Sequence, residues 1–394
     1  MTFEELKDRD GQYVIQTYGR NPIALDHGRG ATLYGVDGKE YIDFAAGIGV
    51  LSVGTAHPKW VAAVTEQAGR LAHVSNLYYT QPYIDLAEEL CTRSGMAAAF
   101  FGNSGAEGNE GILKVARKYS FDKYGEGRGT VLTLNHSFHG RTMATLAATG
   151  QDALHRYFLP FPEGFRYAEP TLDGIQAVAG HDVCAVMMEL VQGEGGVLPL
   201  EEKFVRGVAD LCAKRDWLLL VDEVQTGVGR TGALFAFQQY GFLPDACSFA
   251  KGIAGGLPMS GIMANGKCRT VLTPGTHATT FGGNPVCAAA ACAVQEILTD
   301  QVLEQVQEKG AYLRSRIEAM GSPAVSGTRG LGLMIGVTLK EGYVNSELAA
   351  KLVEAGLLVL TAGQNVLRLL PPLTIRQEEL DQGLEIMRSV LCSL

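Results

Sequence analysis

Lys251 has the side chain in this sequence whose type and position best suit covalent chemistry. It follows the apolar run Ala246–Ala250 and precedes the small residues of Gly252–Pro258. A lysine at the end of an apolar strand is not simply solvated. Partial burial lowers the pKa of an ammonium group and frees the amine to act as a nucleophile, as a Schiff base requires.

Asp222 and Glu223 form a second chemical feature, directly after the apolar run Trp217–Val221. Two carboxylates at the end of a buried strand are costly unless a cation meets them. Farther on, Gly227–Gly232 fits the letters of a GxGxxG dinucleotide loop. That match is weak, because polar residues intervene after the strand and no helical pattern opens at the last glycine. A nucleotide-dependent oxidoreductase therefore remains a minor alternative.

A candidate anion site follows the apolar run Ala98–Phe101, where a glycine-containing turn leads into a helical pattern. The hydroxyl of Ser104 and the free amides of Gly105 and Ala106 would face a phosphate at the positive end of that helix. No Gly-Lys-Ser/Thr is present, which argues against a loop for nucleotide triphosphates. An ordinary capped helix would have the same letters.

Two histidines, His136 and His139, lie in the segment that follows the apolar run Val131–Leu134. No cysteine, glutamate or third histidine is suitably spaced nearby, so we expect structural histidines and no metal site. The wider pattern is more informative. A lysine and an aspartate on successive strand ends, with a phosphate site across the sheet, is the arrangement that pyridoxal phosphate needs.

The elements that position these side chains are short apolar runs separated by segments of helical length. This alternation predicts an α/β fold with a mostly parallel sheet that is buried on both faces. A hairpin is predicted around Asp37-Gly38, and helical patterns followed by the strand Val366–Leu370 occupy the last hundred residues. We predict a large domain over residues 50–285. The N-terminal segment 1–49 and the C-terminal residues 286–394 should form a smaller α+β domain.

Composition narrows the range of partners. The 394 residues carry a formal net charge of −9 and are 46% hydrophobic, with no basic cluster. Nucleic acid and anionic membranes are therefore unexpected partners. The eight cysteines form no CxxC pair, and the start of the chain is polar and acidic, not signal-like. These features favour a cytoplasmic protein with reduced thiols.

Taken together, the motifs resemble those of the class III (ω-amino) aminotransferases of fold type I, and within them the acetylornithine aminotransferases. The resemblance runs nearly end to end, and the pair DEVQTGVGRTG and AKGIAGGLP, residues 222–232 and 250–258, is its most specific part. One departure concerns the helix after the phosphate turn. Gly108 and Gly111 stand where alanines are usual, and each should loosen the helix by about 0.5–1 kcal/mol.

The resemblance assigns a role to each matching residue around the cofactor. It implies that Lys251 carries pyridoxal phosphate as a Schiff base, that Asp222 pairs with the ring nitrogen, and that Gln225 reaches the phenolic oxygen. Phe138 would stack on the ring, while Ser104, Gly105 and Ala106 would hold the phosphate. Thr280 would reach the phosphate in the partner subunit, which implies a homodimer.

The resemblance also implies substrate contacts. Arg141 and Arg368 would bind substrate carboxylates, Glu194 would act as a gate that neutralises Arg368, and Tyr18 aligns loosely with a substrate-contacting tyrosine. The implied reaction moves the ω-amino group of N-acetylornithine to 2-oxoglutarate, giving N-acetylglutamate semialdehyde and glutamate in arginine biosynthesis. Succinylornithine, ornithine, N-acetyllysine, 4-aminobutyrate and diamines remain open as donors. An aminomutase and an inactive binding protein are further alternatives.

Overall fold

The computed structural model describes residues 1–394, and a seven-stranded sheet dominates the fold. The strands of the chain are β1 (Leu25–Arg29), β2 (Thr32–Gly35), β3 (Glu40–Asp43), β4 (Ala98–Gly102), β5 (Thr130–Leu134), β6 (Phe165–Ala168), β7 (Val183–Met188), β8 (Val191–Gln192), β9 (Leu198–Pro199), β10 (Leu218–Asp222), β11 (Ala246–Phe249), β12 (Ser260–Ala264), β13 (Val325–Leu331), β14 (Met334–Leu339), β15 (Leu357–Leu358), β16 (Leu360–Ala362) and β17 (Val366–Leu369).

Helices connect and cover these strands. They are α1 (Phe3–Tyr13), α2 (Ala46–Gly49), α3 (Pro58–Arg70), α4 (Gln81–Ser94), α5 (Gly105–Tyr124), α6 (Met143–Ala148), α7 (Leu172–Val178), α8 (Glu202–Arg215), α9 (Ala236–Gln239), α10 (Pro285–Ile297), α11 (Asp300–Ala319), α12 (Asn345–Glu354) and α13 (Gln377–Leu391), with short 3₁₀ turns at Asp152–Leu154 and Lys251–Ala254. No single helix is long and apolar enough to cross a membrane. By length and composition alone, α10 and α11 pass that test only as a pair, with a 72° bend between them.

The strand order of the large sheet is β4-β12-β11-β10-β7-β5-β6. The pairs formed by β10, β11, β7, β5 and β6 are all parallel, which confirms the predicted mostly parallel sheet. The exception is β12, which is antiparallel to both β4 and β11 and was not predicted from the sequence. Because β12 separates β4 from β11, it sets how far the start of α5 lies from the end of β11.

The apolar runs are continuous because both faces of the sheet are covered. Leu218 and Leu220 of β10 belong to a core cluster that includes Ile112 from α5. Leu219 and Val221 point to the opposite face, in the main core with Val205 from α8. Alternate side chains of a strand lie on opposite faces, so a strand covered on both sides has no polar positions to spare.

Two four-stranded sheets lie outside the large one. The predicted hairpin is present: β2 and β3 are antiparallel, and Gly38 between them has a left-handed φ of 79°. The same sheet contains β15 from the other end of the chain, with Leu357 parallel to Ile42. The second sheet, β13-β14-β17-β16, is antiparallel and carries Arg368. The domain limits at 49/50 and 285/286 remain a prediction.

Candidate active site

A cavity of about 420 Å³ lies beside the carboxyl ends of the parallel strands. This is the edge where helix N-termini converge and where ligands gather in open α/β sheets. Eight of the predicted site residues line the cavity: Ser104, Gly105, Ala106, Phe138, Arg141, Asp222, Gln225 and Lys251. Its volume lies within the range of small-molecule sites.

Lys251 occupies the point where β11 gives way to a 3₁₀ turn. Its φ of +43° is left-handed, a conformation that a side chain with Cβ adopts at a cost. Burial lowers the pKa of the Lys251 amine, and the Arg368 charge lowers it further, while Glu194 and Asp222 oppose the shift. A lowered pKa increases the fraction of neutral amine, which is the nucleophilic form.

Asp222 ends β10 with its carboxylate buried in a network of donors. Its Oδ2 atom accepts from Asn109 Nδ2 at 2.7 Å and lies 2.8 Å from His139 Nδ1. Its Oδ1 atom accepts from the Val224 amide at 2.9 Å. Asn109 is itself fixed, because its Oδ1 accepts from the Ser248 hydroxyl at 2.5 Å. These contacts give the carboxylate a fixed orientation at the cavity.

Glu189 is a second buried carboxyl in the cavity wall, and it was not among the predicted site residues. Its Oε2 atom accepts from the Phe138 amide at 2.9 Å, and its Oε1 atom accepts from the Gly193 amide at 3.4 Å. Burial raises the pKa of Glu189, the His139 ring opposes that rise, and the Asp222 charge adds to it. Glu189 thus connects the Phe138 loop with the turn that precedes Glu194.

The predicted phosphate site is the N-terminus of α5. Ser104 is the N-cap and forms a capping box with Glu107, so its hydroxyl accepts from the Glu107 amide at 3.3 Å. Gly105 and Ala106 are the first residues of the helix, where amides have no partner within the helix. A Cβ on Gly105 would lie 2.8 Å from Val224 Cγ1, so only glycine fits between the helix and that wall.

Phe138 and Arg141 follow β5 and contribute an apolar ring and a cation. Phe138 is partly buried, and the Arg141 guanidinium carbon lies 5.4 Å from its ring centroid. Arg141 is exposed and forms no ion pair within the chain. A guanidinium without a carboxylate partner, at the edge of a cavity, is available for an anionic ligand.

Arg368 lies on β17, beside the cavity and not in its wall. Its Nη1 atom donates to Glu194 Oε1 at 2.6 Å and to Gln225 Oε1 at 3.1 Å. The Arg368 side chain is 4% exposed and the Glu194 side chain 31% exposed, so solvent can reach the carboxylate more easily. The Arg368 Nε atom is buried and has no hydrogen-bond partner. Glu194 is thus the solvent-accessible half of the pair, and Arg368 is the buried half.

Besides Arg368 and Glu194, two further predicted residues do not line the cavity. Tyr18 is 71% exposed in the N-terminal segment, where the Arg20 guanidinium lies 5.6 Å from its ring centroid. Thr280 is exposed on the loop before α10. Its neighbour Thr279 accepts through its hydroxyl from Asn103 Nδ2 at 3.3 Å, next to the phosphate turn. A single chain therefore brings neither Tyr18 nor Thr280 into its own site.

Four residues of the site were missed from the sequence: Asn109, His139, Val224 and Glu189. His139 was expected to be a structural histidine; it lines the cavity, its Nδ1 atom lies 2.8 Å from Asp222 Oδ2, and its buried Nε2 atom has no hydrogen-bond partner within the chain. One available signal was position, since each of the four lies within a few residues of a predicted site residue. Asn109 also falls one helical turn after Gly105, on the face that α5 turns toward the sheet.

A mostly parallel sheet with this lysine, aspartate and helix terminus at its carboxyl edge defines a pyridoxal-phosphate-dependent transferase of fold type I. The sequence profile described as aminotransferase class-III matches residues 13–391. The chain belongs to the class III aminotransferases. It is therefore a transaminase, and the nucleotide-dependent oxidoreductase suggested by Gly227–Gly232 is wrong.

Individual relatives cover the whole chain. The chain is 46% identical over 396 residues to an acetylornithine aminotransferase of Haemophilus ducreyi, covering all of both proteins. A solved N-acetylornithine aminotransferase of Stenotrophomonas maltophilia has 34% identity and a TM-score of 0.84, with 98% of each chain covered. A solved ornithine aminotransferase of Toxoplasma gondii, described with pyridoxal phosphate at its active site, has 30% identity and a TM-score of 0.94, covering 99% of this chain and 94% of its own.

Class III aminotransferases use pyridoxal phosphate, and the residues of this cavity fit that cofactor. At the start of α5 the backbone amides have no partner within the helix, and Gly105 has no side chain. A phosphate can therefore lie against this end of the helix. The Lys251 amine, the Asp222 carboxylate and the Phe138 ring supply an aldehyde-binding nucleophile, an anion for the ring nitrogen and a stacking surface.

Proposed function

We propose that this chain transfers the ω-amino group of N-acetylornithine to 2-oxoglutarate, yielding N-acetylglutamate semialdehyde and glutamate. The proposal rests on one observation: of two arginines near the cavity, only one has a carboxylate partner within the chain. Arg368 is held by Glu194 at 2.6 Å beside Lys251, whereas Arg141 lines the cavity without a carboxylate partner. A donor whose carboxylate is far from the reacting amine would bind Arg141, which has no partner. Arg368, which Glu194 neutralises, would bind a different substrate.

Eight residues would hold the cofactor. Lys251 would bind its aldehyde carbon, Asp222 its ring nitrogen and Gln225 its phenolic oxygen. Phe138 and Val224 would enclose the ring, and the turn Ser104–Ala106 would bind the phosphate. When bound, pyridoxal phosphate supplies an electrophilic carbon for the amine and a cationic ring that accepts electrons. The Asp222 carboxylate, held in place by Asn109, His139 and the Val224 amide, would face the ring nitrogen.

Lys251 has a second task once the substrate amine has taken its place. Its freed Nζ atom would take the proton from the substrate carbon that bears the reacting nitrogen and hold it for the return transfer. The lowered pKa of Lys251 favours this work, because it increases the share of neutral amine, which is the form that accepts a proton. The positive φ of Lys251 fixes where its side chain leaves the backbone.

Substrate binding divides between the two arginines. In the first half-reaction, Arg141 would grip the distal carboxylate of the donor bidentately, and Glu194 would keep Arg368 neutralised. In the second, Glu194 would swing toward solvent, so that Arg368 takes the α-carboxylate of 2-oxoglutarate and Arg141 the other one. Arg368 thus keeps a carboxylate partner in both states, which avoids the cost of an isolated buried charge.

A homodimer completes the proposal. Leu77, Tyr78 and Tyr79 are 81%, 71% and 96% exposed, and Phe281 is 62% exposed. The two segments lie side by side, because Asn76 Nδ2 donates to the carbonyls of Thr279 and Gly282. A contiguous exposed apolar surface of this kind favours a protein partner. A second subunit covering it would bring its own Thr280 to the phosphate site of the first.

N-acetylornithine is preferred among the donors because of the relatives, not because of a pocket for the acyl group. The test is to follow the visible absorbance of purified holoenzyme with a panel of amines and no keto acid. N-acetylornithine should bleach the protein most efficiently, ahead of succinylornithine, ornithine, N-acetyllysine, 4-aminobutyrate and a diamine. Borohydride reduction should fix the cofactor to Lys251, as peptide mass spectrometry would detect. A colourless protein, or label on another residue, would overturn the proposal.

A further inference from the structure

Arg230 lies in the glycine-rich segment Gly227–Gly232 and joins two distant parts of the chain. The residue is 2% exposed. Its Nη1 atom donates to the Leu333 carbonyl at 2.9 Å and to the Pro371 carbonyl at 2.6 Å. In return, the Leu333 amide donates to the Arg230 carbonyl at 3.1 Å. The segment that follows Asp222 is therefore bonded to the turn between β13 and β14 and to the residues that follow β17.

The glycines of this segment permit the close approach. Gly229 and Gly232 have left-handed φ values of 84° and 90°. A Cβ at Gly229 would lie 2.9 Å from Leu303 Cδ2, and one at Gly232 would lie 2.2 Å from Gln307 Cγ. From the other side, a Cβ at Gly332 would lie 2.5 Å from the Thr231 carbonyl carbon. The GxGxxG pattern thus serves packing between two parts of one chain, and not a nucleotide.

The loop from Asp222 to Gly232 contacts Arg368 on β17 and also Pro371, just after that strand. Gln225 accepts from Arg368 Nη1 at 3.1 Å, and Arg230 bonds to Pro371, three residues after Arg368. Between them, the Leu370 amide donates to the Phe44 carbonyl at 2.7 Å. The end of β17 is thus fixed against the loop that also carries Asp222, so the Arg368 guanidinium has a defined position relative to the cofactor site.

Stability alone gives a poor account of a buried arginine here. Burial lowers the pKa of Arg230, the Asp43 charge opposes that shift, and the Arg230 Nη2 atom has no hydrogen-bond partner. A buried ion pair often stabilises a fold no better than apolar residues of similar size. An apolar residue could not donate two directed hydrogen bonds to the backbone carbonyls of separate segments, as Arg230 does.

We infer that Arg230 is a positioning residue for recognition of the α-carboxylate, because it fixes the end of β17 and with it the Arg368 guanidinium. The inference rests on the proposed function, in which Arg368 binds 2-oxoglutarate while Arg141 binds the donor. Arg230 touches neither substrate nor cofactor. Its loss should therefore weaken the half-reaction that needs Arg368 and spare the half-reaction in which Glu194 masks it.

The test compares Arg230→Met and Arg230→Lys with the wild-type holoenzyme in separate half-reactions. For Arg230→Met we expect an apparent KM for 2-oxoglutarate about tenfold higher, as for loss of a charged hydrogen bond. The dissociation constant of glutarate, an unreactive dicarboxylate, should rise similarly by calorimetry. The rate of bleaching by N-acetylornithine should stay within about twofold. Arg230→Lys keeps the charge but presents a single ammonium, so an intermediate rise is expected.

Arg128→Met is the matched control. Arg128 also donates to backbone carbonyls, those of Val183, Arg215 and Asp216, but at the amino ends of the parallel strands. The Arg128→Met substitution should leave the rates of both half-reactions unchanged. If Arg230→Met does not fold, the same measurements on Arg230→Lys test the inference. Equal losses in both half-reactions, or unchanged glutarate binding in a folded variant, would overturn the inference. A wild-type enzyme that ignores 2-oxoglutarate would instead overturn the proposed function.

Discussion

Arg368 and Glu194 form a 2.6 Å ion pair in which the arginine is buried and the glutamate reaches solvent. Because of this unequal exposure, the pair would open by movement of Glu194, whose carboxylate can be hydrated when it leaves, whereas Arg368 cannot be hydrated. Arg368 would then need a replacement anion, and in the proposed function the α-carboxylate of a substrate would provide one.

Replacing Glu194 by alanine should change which amine reacts first. Without its carboxylate, Arg368 is free to bind the α-carboxylate of glutamate, so bleaching of the holoenzyme by glutamate should become about tenfold more efficient relative to N-acetylornithine. Stopped-flow absorbance with each amine alone measures this ratio. Glu202→Ala, which removes an exposed partner of Arg206, is the control. An unchanged ratio in Glu194→Ala would mean that Glu194 is no gate.

Arg141→Met should weaken every substrate that has a distal carboxylate. The side chain has no ion pair to lose within the protein, so its removal should leave stability nearly unchanged. The KM values for N-acetylornithine and for 2-oxoglutarate should both rise by about 10–100-fold, as for a lost bidentate charged contact. Bleaching of the holoenzyme by a diamine, without keto acid, provides the internal control, because a diamine has no carboxylate for Arg141 to bind. Full activity of Arg141→Met on N-acetylornithine would contradict the assignment.

Asp222→Asn should slow the chemistry and spare the fold. The amide keeps the size of the carboxylate but removes the negative charge that faces the ring nitrogen. We expect kcat to fall by about 10²–10³-fold, the usual effect of losing one electrostatic contact in an active site. Asp245→Asn is the matched control, because Asp245 accepts from the Leu219 amide just before β11, outside the cavity. A kcat within a few-fold of wild type would argue that Asp222 does not face the ring.

Glu223→Gln should alter how stability depends on pH. Burial raises the pKa of Glu223 to about 7, against a usual 4.5, although bonds from Thr226 and the Phe237 amide oppose the shift. A raised folded-state pKa stabilises the protein fully below pH 4.5 and loses that contribution as pH rises through 7.

Glutamine does not titrate, so the stability of Glu223→Gln relative to wild type should increase between pH 4.5 and 7 and then stay level. The total change should be up to about 3 kcal/mol. Urea unfolding midpoints of both proteins at pH 5, 6, 7 and 8 measure it. The exposed Glu202→Gln should show no such trend. Parallel curves for Glu223→Gln and wild type would show that Glu223 stays ionised in the fold.

Thr280→Ala should weaken cofactor retention across the dimer interface. Loss of one hydroxyl contact to a phosphate should increase the dissociation constant of pyridoxal phosphate by about tenfold. Thr280→Ser, which keeps the hydroxyl, should retain wild-type affinity. Fluorescence titration of apoenzyme measures the constant, and sedimentation should give a dimer for all three proteins. A wild-type monomer that binds the cofactor normally would contradict the role of Thr280.

Much of this architecture follows from local patterns in the sequence. The runs Val183–Met188 and Val131–Leu134 predicted strands correctly because strands covered on both faces have no polar positions. The placement of Lys251 and Asp222 in one cavity was predicted from the strand ends on which they lie, and their chemical roles stay a prediction. The direction of a strand carries no such local signature. Ser260–Ala264 is apolar like its neighbours, and only the three-dimensional path shows that it runs antiparallel.

Contacts between distant segments explain the remaining errors. Gly108 and Gly111 were expected only to weaken α5. A Cβ at these positions would lie 3.0 Å from the Gly261 carbonyl oxygen and 2.9 Å from Ile262 Cγ2, so glycine lets the helix rest on β12. Glu189 was missed for a similar reason, since its partners at Phe138 and Gly193 belong to two loops brought together by the sheet.

The parallel pairing of Leu357 with Ile42 joins residues more than 300 positions apart. On a ribosome, β3 is therefore made long before the strand that completes its sheet, a delay of roughly 15–60 s at ordinary elongation rates. During that interval the β1–β3 hairpin has an open edge, which can pair with other nascent chains. Loss of the last forty residues through premature termination would remove β15 and Arg368 alike, leaving a chain that is both inactive and prone to aggregate.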